Sequence, residues 1–265
     1  MSLEYQCPLC SKSLTKTQNT LRCESNHSFD FAKEGYVNLL PVQNKNSKQP
    51  GDSLEMVQAR RTFLEQGFYA FLQQALSEIT STIKGNNIID LGCGEGFYTH
   101  AIANNTQAQV YGVDISKSAI KYAAKRYPNC SFSVASISQA PFKEGFADIL
   151  ISVFAPLFTK ELERLAKPNA TLVVASPGPW HLKELKAYIY QSVNEHTKVD
   201  VPEGFTETHQ DLITQQVTLS INDVRNLIMM TPFAWKFRPE HWETLEEKGE
   251  HHVTLSFYIT QFQKA

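Results

Sequence analysis

The sequence lacks any long run of apolar residues. Although 42% of its 265 residues are hydrophobic, no apolar stretch approaches the roughly 20 residues that a membrane-spanning helix needs. The first residues, MSLEYQC, also lack the basic and apolar regions of a secretory signal. We therefore expect a cytoplasmic protein without a membrane partner. The length favours one large domain with a small appendage.

A large excess of charge of either sign is also missing. Lysine and arginine total 25, and aspartate and glutamate total 27, which gives a net charge of −2 and excludes a histone-like polycation. The balance shifts along the chain, from +3 over residues 1–194 to −5 over residues 195–265. A mildly basic first part permits a polyanionic partner without requiring one.

Cysteine is scarce, and its placement argues against a disulfide framework. Three of the five cysteines, Cys7, Cys10 and Cys23, lie near the start of the chain. With His27 they form the pattern C-x2-C-x12-C-x3-H, and structural zinc sites take four such thiolate or imidazole ligands. A loop this short has no core of its own, so the metal would supply its folding energy. The pattern predicts a closed, structural zinc site without a role in catalysis.

Composition divides the chain into three parts. Residues 1–38 are expected to form the zinc-binding module. Residues 39–53, LLPVQNKNSKQPGDS, are polar and rich in Pro, Asn and Ser, which is typical of a linker or a mobile loop. Residues 54–265 are expected to form the main domain.

Helical and strand patterns alternate through the main domain. After helices at 54–65 and 69–83, short apolar strands alternate with helices, which predicts a doubly wound parallel sheet. The predicted strands are 87–91, 109–113, 131–135, 147–154 and 171–175, and the helices between and after them are 97–103, 117–126, 160–166 and 180–195. Beyond residue 214 we expect two edge strands, 216–221 and 253–261, with a helix at 222–230 between them.

The segment IIDLGCGEG carries the sharpest signal for a cofactor. A predicted strand contains Asp90, and a turn with Gly92, Gly94 and Gly96 opens the next helix, whose first N–H groups are free to meet a ligand. The following strand ends at Asp114, which can accept hydrogen bonds from ribose hydroxyls or can instead cap a helix. The glycine spacing alone is shared by several nucleotide-binding sheets, but the whole segment resembles motif I of class I S-adenosylmethionine-dependent methyltransferases.

Two other strand ends are less informative. Many methyltransferases carry an acid after the third strand to hold the adenine amine, and this chain offers Ser136 and Ser138 there. After the fourth strand, Phe154 precedes Pro156 by two residues without the Asn or Asp that base methyltransferases use. Phe154 is as well suited to core packing as to stacking on a base.

Further segments extend the resemblance to one family. The zinc pattern, AKEGYVNLLPVQ from residue 32, PGDS from residue 50, MVQARR from residue 56, SPGPWHL from residue 176 and MTPFAW from residue 230 follow one another in order. Together with motif I they resemble the RlmA (RrmA) family, which are bacterial 23S rRNA (guanine-N1)-methyltransferases. The resemblance covers nearly the whole chain and is nearer the branch of guanine-745 type specificity than the guanine-748 branch.

The resemblance implies a fold, a substrate and a set of site residues. It implies a Rossmann-like class I methyltransferase α/β sheet with a small N-terminal zinc-binding domain, and a homodimer with a cleft for a 23S rRNA hairpin. The family's zinc ligands correspond to Cys7, Cys10, Cys23 and His27, and its cofactor contacts correspond to Tyr69, Gly94, Glu95 and His181. With motif I, the predicted S-adenosylmethionine contacts are Tyr69, Asp90, Gly92, Gly94, Glu95, Asp114 and His181.

Methylation of guanine N1 requires a base, because this nitrogen carries a proton, and an in-line approach to the methyl carbon. His181, Glu95 and Asp148 are candidate bases on position alone, and the sequence assigns no catalytic residue. A base taken out of its stack would need an aromatic pocket. The stacking candidates are Trp180, Phe233 and Trp235, although such residues more often belong to a core than to a pocket.

Basic side chains near the start of the chain suggest where RNA is held. Phosphate contacts require Lys or Arg, and the candidates are Lys12, Lys16, Arg22, Lys33, Lys45, Lys48, Arg60 and Arg61. We interpret the zinc module as the lobe that grips RNA. The alternative is a small-molecule S-adenosylmethionine-dependent methyltransferase with a structural zinc module, because such enzymes share the same motif I.

Overall fold

The fold is described by a computed structural model over residues 4–41 and 51–265. Residues 42–50 of the predicted linker, with Lys45 and Lys48, lie outside the described residues. Within the described ranges, no helix is both long and apolar enough to cross a membrane.

The N-terminal module is built from short antiparallel strands. Strands β1 (Thr15–Thr17), β2 (Thr20–Arg22) and β3 (Ser28–Asp30) form a sheet in that order. The short strand β4 (Val37–Asn38) then pairs in parallel with a strand of the main sheet. The zinc module and the main domain are therefore joined by backbone hydrogen bonds.

The main sheet contains eight strands within the described residues. After β4, its strands are β5 (Asn87–Leu91), β6 (Gln109–Asp114), β7 (Ser131–Val134), β8 (Ala147–Val153), β9 (Ala166–Pro177), β10 (Phe205–Ser220) and β11 (Glu250–Lys264). The order across the sheet is β10-β11-β9-β8-β5-β6-β7-β4. The strands from β9 to β4 pair in parallel, and β11 pairs antiparallel with both β9 and β10. This confirms the predicted Rossmann-like sheet.

The helices begin where the sequence places good caps. The Ser53 and Ser116 hydroxyls accept hydrogen bonds from the third residue of the helices that follow, at 3.2 and 3.4 Å, which satisfies otherwise free N–H groups. The helices are α1 (Leu54–Glu65), α2 (Ala70–Thr82), α3 (Phe97–Asn104), α4 (Lys117–Arg126), α5 (Thr159–Leu165), α6 (Lys183–Lys186), α7 (Ile221–Met229) and α8 (Pro239–Lys248).

Each face of the sheet is covered by its own apolar core, because side chains alternate along a strand. In β5, Ile88 packs with the cluster on one face, whereas Ile89 and Leu91 pack with the cluster on the other. The second face also receives Tyr5 and Leu21 from the zinc module, both almost fully buried. The zinc module therefore shares a core with the sheet.

The predicted helix over residues 180–195 is wrong, because only α6 within it is helical. Leu182 has a φ of +58°, which interrupts a right-handed helix before it can start. Two tertiary contacts hold this path: the Leu182 N–H donates to the carbonyl of Thr254, and the Lys186 ammonium donates to the carbonyl of His181. Helix α8 and the three strands of the zinc module were not predicted.

Strand β10 forms one edge of the main sheet. It is 16 residues long, and most of its residues are exposed or only half-buried. Its second half, LITQQVTL over residues 212–219, contains no charged side chain. The opposite edge is the two-residue strand β4, so the two edges differ greatly in length.

Candidate functional site

The four predicted zinc ligands converge on one point. Their ligand atoms all lie within 4.8 Å of one another. The Cys10 and Cys23 sulfurs are 3.6 Å apart, and His27 Nδ1 is 3.4 and 3.5 Å from the Cys7 and Cys23 sulfurs. A zinc tetrahedron with bonds of about 2.3 Å to sulfur and about 2.0–2.1 Å to nitrogen has edges of roughly 3.5–3.8 Å. The geometry therefore fits zinc and leaves no position for a substrate.

Each pair of ligands is presented by a tight turn. The Ser11 N–H donates to the Cys7 carbonyl at 2.8 Å, and the Asn26 N–H donates to the Cys23 carbonyl at 2.9 Å. Ser11 and Asn26 both adopt a positive φ, which turns the chain back after each knuckle. The same local design is thus used twice to bring four ligand atoms together.

The glycine turn after β5 combines two different requirements. A methyl group on Gly92 would lie 2.5 Å from the Cβ of Ala155, and one on Gly96 would lie 2.9 Å from the ring of Phe132. A methyl group on Gly94 would meet only Arg60, at 3.6 Å. Gly92 and Gly96 are therefore needed for packing, whereas the space beside Gly94 would admit a methyl group, and its contact with the cofactor stays a prediction.

Two carboxylates flank this turn at the ends of neighbouring strands. Asp114 accepts hydrogen bonds from the N–H groups of Gly94, at 3.0 Å, and Ser116, at 2.7 Å, and each oxygen retains a further lone pair. Asp90 accepts from the Thr99 hydroxyl at 2.5 Å, while its second oxygen has no partner among the described residues. Burial raises the pKa of Asp90 to about 7 and also raises the pKa of Asp114. Acceptor capacity that the described residues leave unused at Asp90 and Asp114 fits a ligand with hydroxyl and ammonium donors.

Arg60 joins this group, which the sequence analysis did not predict. Its guanidinium contacts the Asp52 carboxylate at 2.5 Å. Burial lowers the pKa of Arg60, but the nearby carboxylates of Asp52, Glu95 and Asp114 raise it above its usual value. Because its side chain is only 23% exposed and is paired with Asp52, Arg60 is less accessible than an exposed phosphate contact would require, and its role in RNA binding stays a prediction. The sequence does contain a sign of this placement. Residues 57, 60 and 64 share one face of α1, so Arg60 lies on the same face as the apolar Val57 and Leu64.

The opposite side of the site is aromatic. His181 and Tyr69 are both buried, and the Tyr69 hydroxyl lies 3.5 Å from His181 Nε2. Phe257 of β11 packs against both rings, with centroids 4.8 Å from His181 and 5.0 Å from Tyr69. Phe154, just past the end of β8, lies 6.4 Å from His181 with the rings within 20° of parallel. The structure thus brings Tyr69 and His181 together across 112 residues of sequence.

The protonation state of His181 follows from one hydrogen bond. The backbone N–H of Ser256 donates to His181 Nδ1 at 3.2 Å, so Nδ1 carries no proton and Nε2 carries it. Burial, followed by the charge of Lys186, lowers the pKa of His181 to about 3. With Nδ1 occupied by the Ser256 N–H and the proton on Nε2, neutral His181 presents a hydrogen-bond donor and no free acceptor for the guanine proton.

A second candidate base lies at the wrong end of the sheet. The Asp148 carboxylate accepts from the N–H groups of Asn86 and Asn87 and from the Lys167 ammonium. Burial opposes ionisation, but these contacts lower the pKa of Asp148. Asp148 lies at the start of β8, whereas the glycine turn follows the end of the parallel strand β5, so the two are separated by the length of a strand. Glu95, which is buried beside Arg60 and has a pKa raised by burial, remains in the site.

The three stacking candidates differ in exposure. Trp235 is 79% exposed, Trp180 is 41% exposed, and Phe233 is half-buried. Lys236 lies 5.4 Å from the Trp235 ring and Lys183 lies 5.9 Å from the Trp180 ring. A cavity of about 430 Å³ beside Trp235 is lined by Ile189, Trp235, Lys236, Arg238 and His241. The tryptophans are therefore surface residues with cations beside them.

Comparisons with known proteins agree with this geometry. A family profile described as "RlmA, N-terminal" matches residues 5–48, and a profile described as "Methyltransferase domain" matches residues 83–249. A 23S rRNA (guanine(748)-N(1))-methyltransferase of Streptomyces fradiae is 31% identical over 96% of this chain and 95% of its own length. YxjB of Bacillus subtilis strain 168 is 30% identical over 96% of this chain and 95% of that protein.

Solved structures support the fold. The phosphoethanolamine N-methyltransferase 2 of Haemonchus contortus, solved with S-adenosyl-L-methionine, superposes with a TM-score of 0.50 at 16% identity, covering 80% of this chain and 57% of that chain. The methyltransferase domain confirms S-adenosylmethionine as the cofactor, and the Cys/His cluster within the matched N-terminal region confirms structural zinc. The contacts assigned to individual cofactor-binding residues stay predictions. The chain belongs to the RlmA family of 23S rRNA (guanine-N1)-methyltransferases.

Proposed function

We propose that this protein transfers the methyl group of S-adenosylmethionine to N1 of a guanine in a hairpin of 23S rRNA. The observation that carries the proposal is the 31% identity, over 96% of the chain, to a protein named for this reaction. That relative is named for guanine 748, whereas the sequence analysis predicts the guanine-745 type. The position is therefore a separate part of the proposal, to be mapped in the product.

The residues of the site suit a cofactor with an adenosine and an amino-acid part. We assign the ribose hydroxyls to Asp114 and the ammonium group to Asp90, whose second oxygen is buried without a partner among the described residues. Gly94 leaves room for close approach of the backbone. Arg60, with its positive charge among carboxylates, keeps the site from accumulating excess negative charge. Tyr69 and His181 form the aromatic side of the proposed cofactor site, opposite these carboxylates.

Bound S-adenosylmethionine supplies a methyl group on a positively charged sulfur, for in-line transfer to a nucleophile. Guanine N1 becomes nucleophilic when its proton leaves, and the negative charge then spreads onto O6. The proton held at His181 Nε2 can donate to such an oxygen, and the Ser256 N–H fixes it there. Of the three candidate bases, Glu95 remains, since a pKa raised by burial brings a carboxylate closer to the operating pH.

RNA is proposed to contact two basic regions. On the zinc module, Lys12, Lys16, Arg22 and Lys33 are exposed, although Lys12 also pairs with Glu24 at 3.5 Å. Near the site, Lys183 and Lys236 accompany exposed tryptophans, a combination that suits stacked bases and phosphates. The alternative for the first group is that its members are ordinary solvated surface cations.

A homodimer is also proposed. The uncharged half of β10 leaves an edge whose backbone groups can pair with another strand. Leu212, a large apolar side chain that is 52% exposed, lies in this half. A second copy of the chain could add its own β10 antiparallel to this one, which would produce a closed, two-fold symmetric pair.

Methyl transfer from labelled S-adenosylmethionine to 23S rRNA lacking the modification tests the proposed reaction. We expect 1-methylguanosine in the digested product, at one position that primer extension maps to 745. Mapping to 748 would correct the position and keep the reaction. A different modified base, or transfer to small molecules with none to RNA, would overturn the proposal. Glu95→Gln in the same assay tests the proposed base and should slow transfer. Because Glu95 is also a predicted cofactor contact, calorimetric titration with S-adenosylhomocysteine separates the roles: a loss of affinity that accounts for the slower transfer would remove Glu95 as the base.

A further inference from the structure

The backbone of Phe154 is strained. Its φ is +57°, in the left-handed region that an L-residue with a bulky side chain rarely adopts and that glycine adopts freely. The residue is 44% exposed, although it directly follows the buried strand β8. A large apolar ring that is held in a strained backbone and left open to solvent is not explained by core packing.

The surrounding contacts hold this conformation firmly. The Phe154 N–H donates to the Ala175 carbonyl at 3.0 Å, and the Ser152 hydroxyl donates to the Ala155 carbonyl at 3.2 Å. Ala155 packs so closely on Gly92 that no side chain fits at that glycine. The segment that carries Phe154 is therefore pressed against the glycine turn of the cofactor site.

The ring lies against the aromatic residues of that site. It is nearly parallel to His181, at 20°, and its centroid lies 5.6 Å from that of Phe257. His181 is the neutral donor described above, so an aromatic face and a polar N–H occur side by side. An extruded nucleobase needs both, because its flat surface stacks on an aromatic ring and its edge forms hydrogen bonds.

We propose that Phe154 is the surface on which the target guanine stacks while its N1 faces the methyl group. This inference rests on the proposed function and specifies its substrate-binding residue. Stacking on Phe154 would hold the purine beside the His181 ring, to which the Phe154 ring is nearly parallel. The strained backbone is then retained because it aims the ring at the substrate.

The substitution Phe154→Gly separates this role from a structural one. Glycine relieves the strain but also removes the ring's contact with Phe257, so the two effects oppose each other and we expect a change in melting temperature of less than about 4 °C. The affinity for S-adenosylhomocysteine, measured by calorimetry, should be unchanged. We expect kcat/KM for rRNA to fall about 5- to 150-fold, the range that corresponds to losing one stacked base. Phe154→Tyr keeps the ring and should restore most of the activity.

Phe158 provides the matched control, because it is 43% exposed, lies four residues further along and has an ordinary negative φ. Phe158→Ala should leave methyl transfer within about twofold of the wild type. With 2-aminopurine in place of the target guanine, the wild type should change the fluorescence of the base on binding and Phe154→Gly should not. Wild-type activity in Phe154→Gly, or a loss of activity together with a fall in melting temperature of more than about 4 °C, would overturn the inference. Failure of the wild type to methylate RNA would instead overturn the proposed function.

Discussion

At the scale of single residues, the glycine turn shows that residues of one type can be required for different structural reasons. The three glycines all have a positive φ, at +81°, +55° and +83° for Gly92, Gly94 and Gly96. The space around their α-carbons nevertheless differs, since a methyl group would fit without a close contact at Gly94 but not at Gly92 or Gly96. A pattern of glycines in a sequence reveals the turn, but it does not reveal which glycine approaches the ligand.

The substitutions Gly94→Ala and Gly96→Ala test this division. Both place a side chain at a positive φ, which costs about 1–2 kcal/mol. Gly96→Ala also forces a methyl group against Phe132 and Ala123, so we expect the free energy of unfolding to fall by about 2–5 kcal/mol in total.

Gly94→Ala should cost only the conformational part and should weaken S-adenosylmethionine binding at least tenfold. Urea unfolding and calorimetric titration measure the two quantities on the same samples. Equal destabilisation by both variants, or unchanged cofactor affinity in Gly94→Ala, would contradict the assignment.

His181 shows what sequence reasoning could not reach. The family resemblance pointed to this residue, but its role depends on a backbone N–H from Ser256, 75 positions away. No local pattern encodes that contact, and the contact decides which ring nitrogen holds the proton. The zinc ligands are the opposite case, because their spacing alone constrains the chain to bring them together.

At the scale of elements, strands β5 to β8 and helices α1 to α4 could be predicted within one or two residues. Their apolar periodicity and their caps agree with the tertiary structure, so local and global preferences coincide. The segment around α6 failed because tertiary contacts of Lys186 and Leu182 override a helical pattern. The full length of β10 escaped prediction because an exposed edge strand has little apolar alternation.

The edge strand β10 supports a prediction about assembly. Leu212→Lys places a charge in the uncharged half of the strand, and charged side chains prevent edge-to-edge pairing. We expect sedimentation velocity to show a dimer for the wild type and a monomer for Leu212→Lys, with little change in melting temperature. Asp211→Lys, on the adjacent position that is already charged, is the control and should remain dimeric. A wild-type monomer, or a dimer for Leu212→Lys, would exclude this edge as the interface.

The small sheet of the zinc module supports a prediction about RNA. Reversal of Lys16 and Arg22 to glutamate removes two exposed cations from β1 and β2. We expect weaker 23S rRNA binding and a salt dependence reduced by about two counterions, since each lost phosphate contact removes nearly one. Cofactor affinity should be unchanged.

Lys84 and Lys125 are also exposed but lie outside the zinc module, so their reversal changes the net charge equally. Filter binding at several salt concentrations compares the two double variants. The same loss in both would indicate a general effect of charge, and no loss in either would remove the zinc module from the RNA interface.

At the scale of the whole molecule, the zinc module is part of the main core. The Tyr5 ring packs 5.6 Å from Tyr111 and 5.3 Å from Phe142, and the Gln6 N–H donates to the Pro141 carbonyl at 2.7 Å. Strand β4 also completes the sheet beside β7. Loss of the metal should therefore destabilise the entire chain.

Zinc removal tests this coupling. We expect Cys23→Ser to lower the melting temperature of the whole protein by about 6–12 °C, which corresponds to about 3 kcal/mol in a chain of this size. Calorimetry should show one transition. Cys130→Ser, which alters a half-buried cysteine away from the metal, should shift the melting temperature by less than about 3 °C. A separate low-temperature transition in Cys23→Ser would show that the module unfolds independently.

The shared core also determines the order in which the protein can be completed during its synthesis. Tyr5 and Leu21 leave the ribosome early, whereas their packing partners Phe142 and Phe146 emerge roughly 120–140 residues later. At about 5–20 residues per second, the apolar face of the zinc knuckles stays bare for roughly 6–28 seconds. Early zinc binding would fold the nascent module. The folded module would then expose the apolar side chains, such as Tyr5 and Leu21, that the main sheet later covers. The growing chain is therefore most prone to aggregation before its main domain has been synthesised and folded.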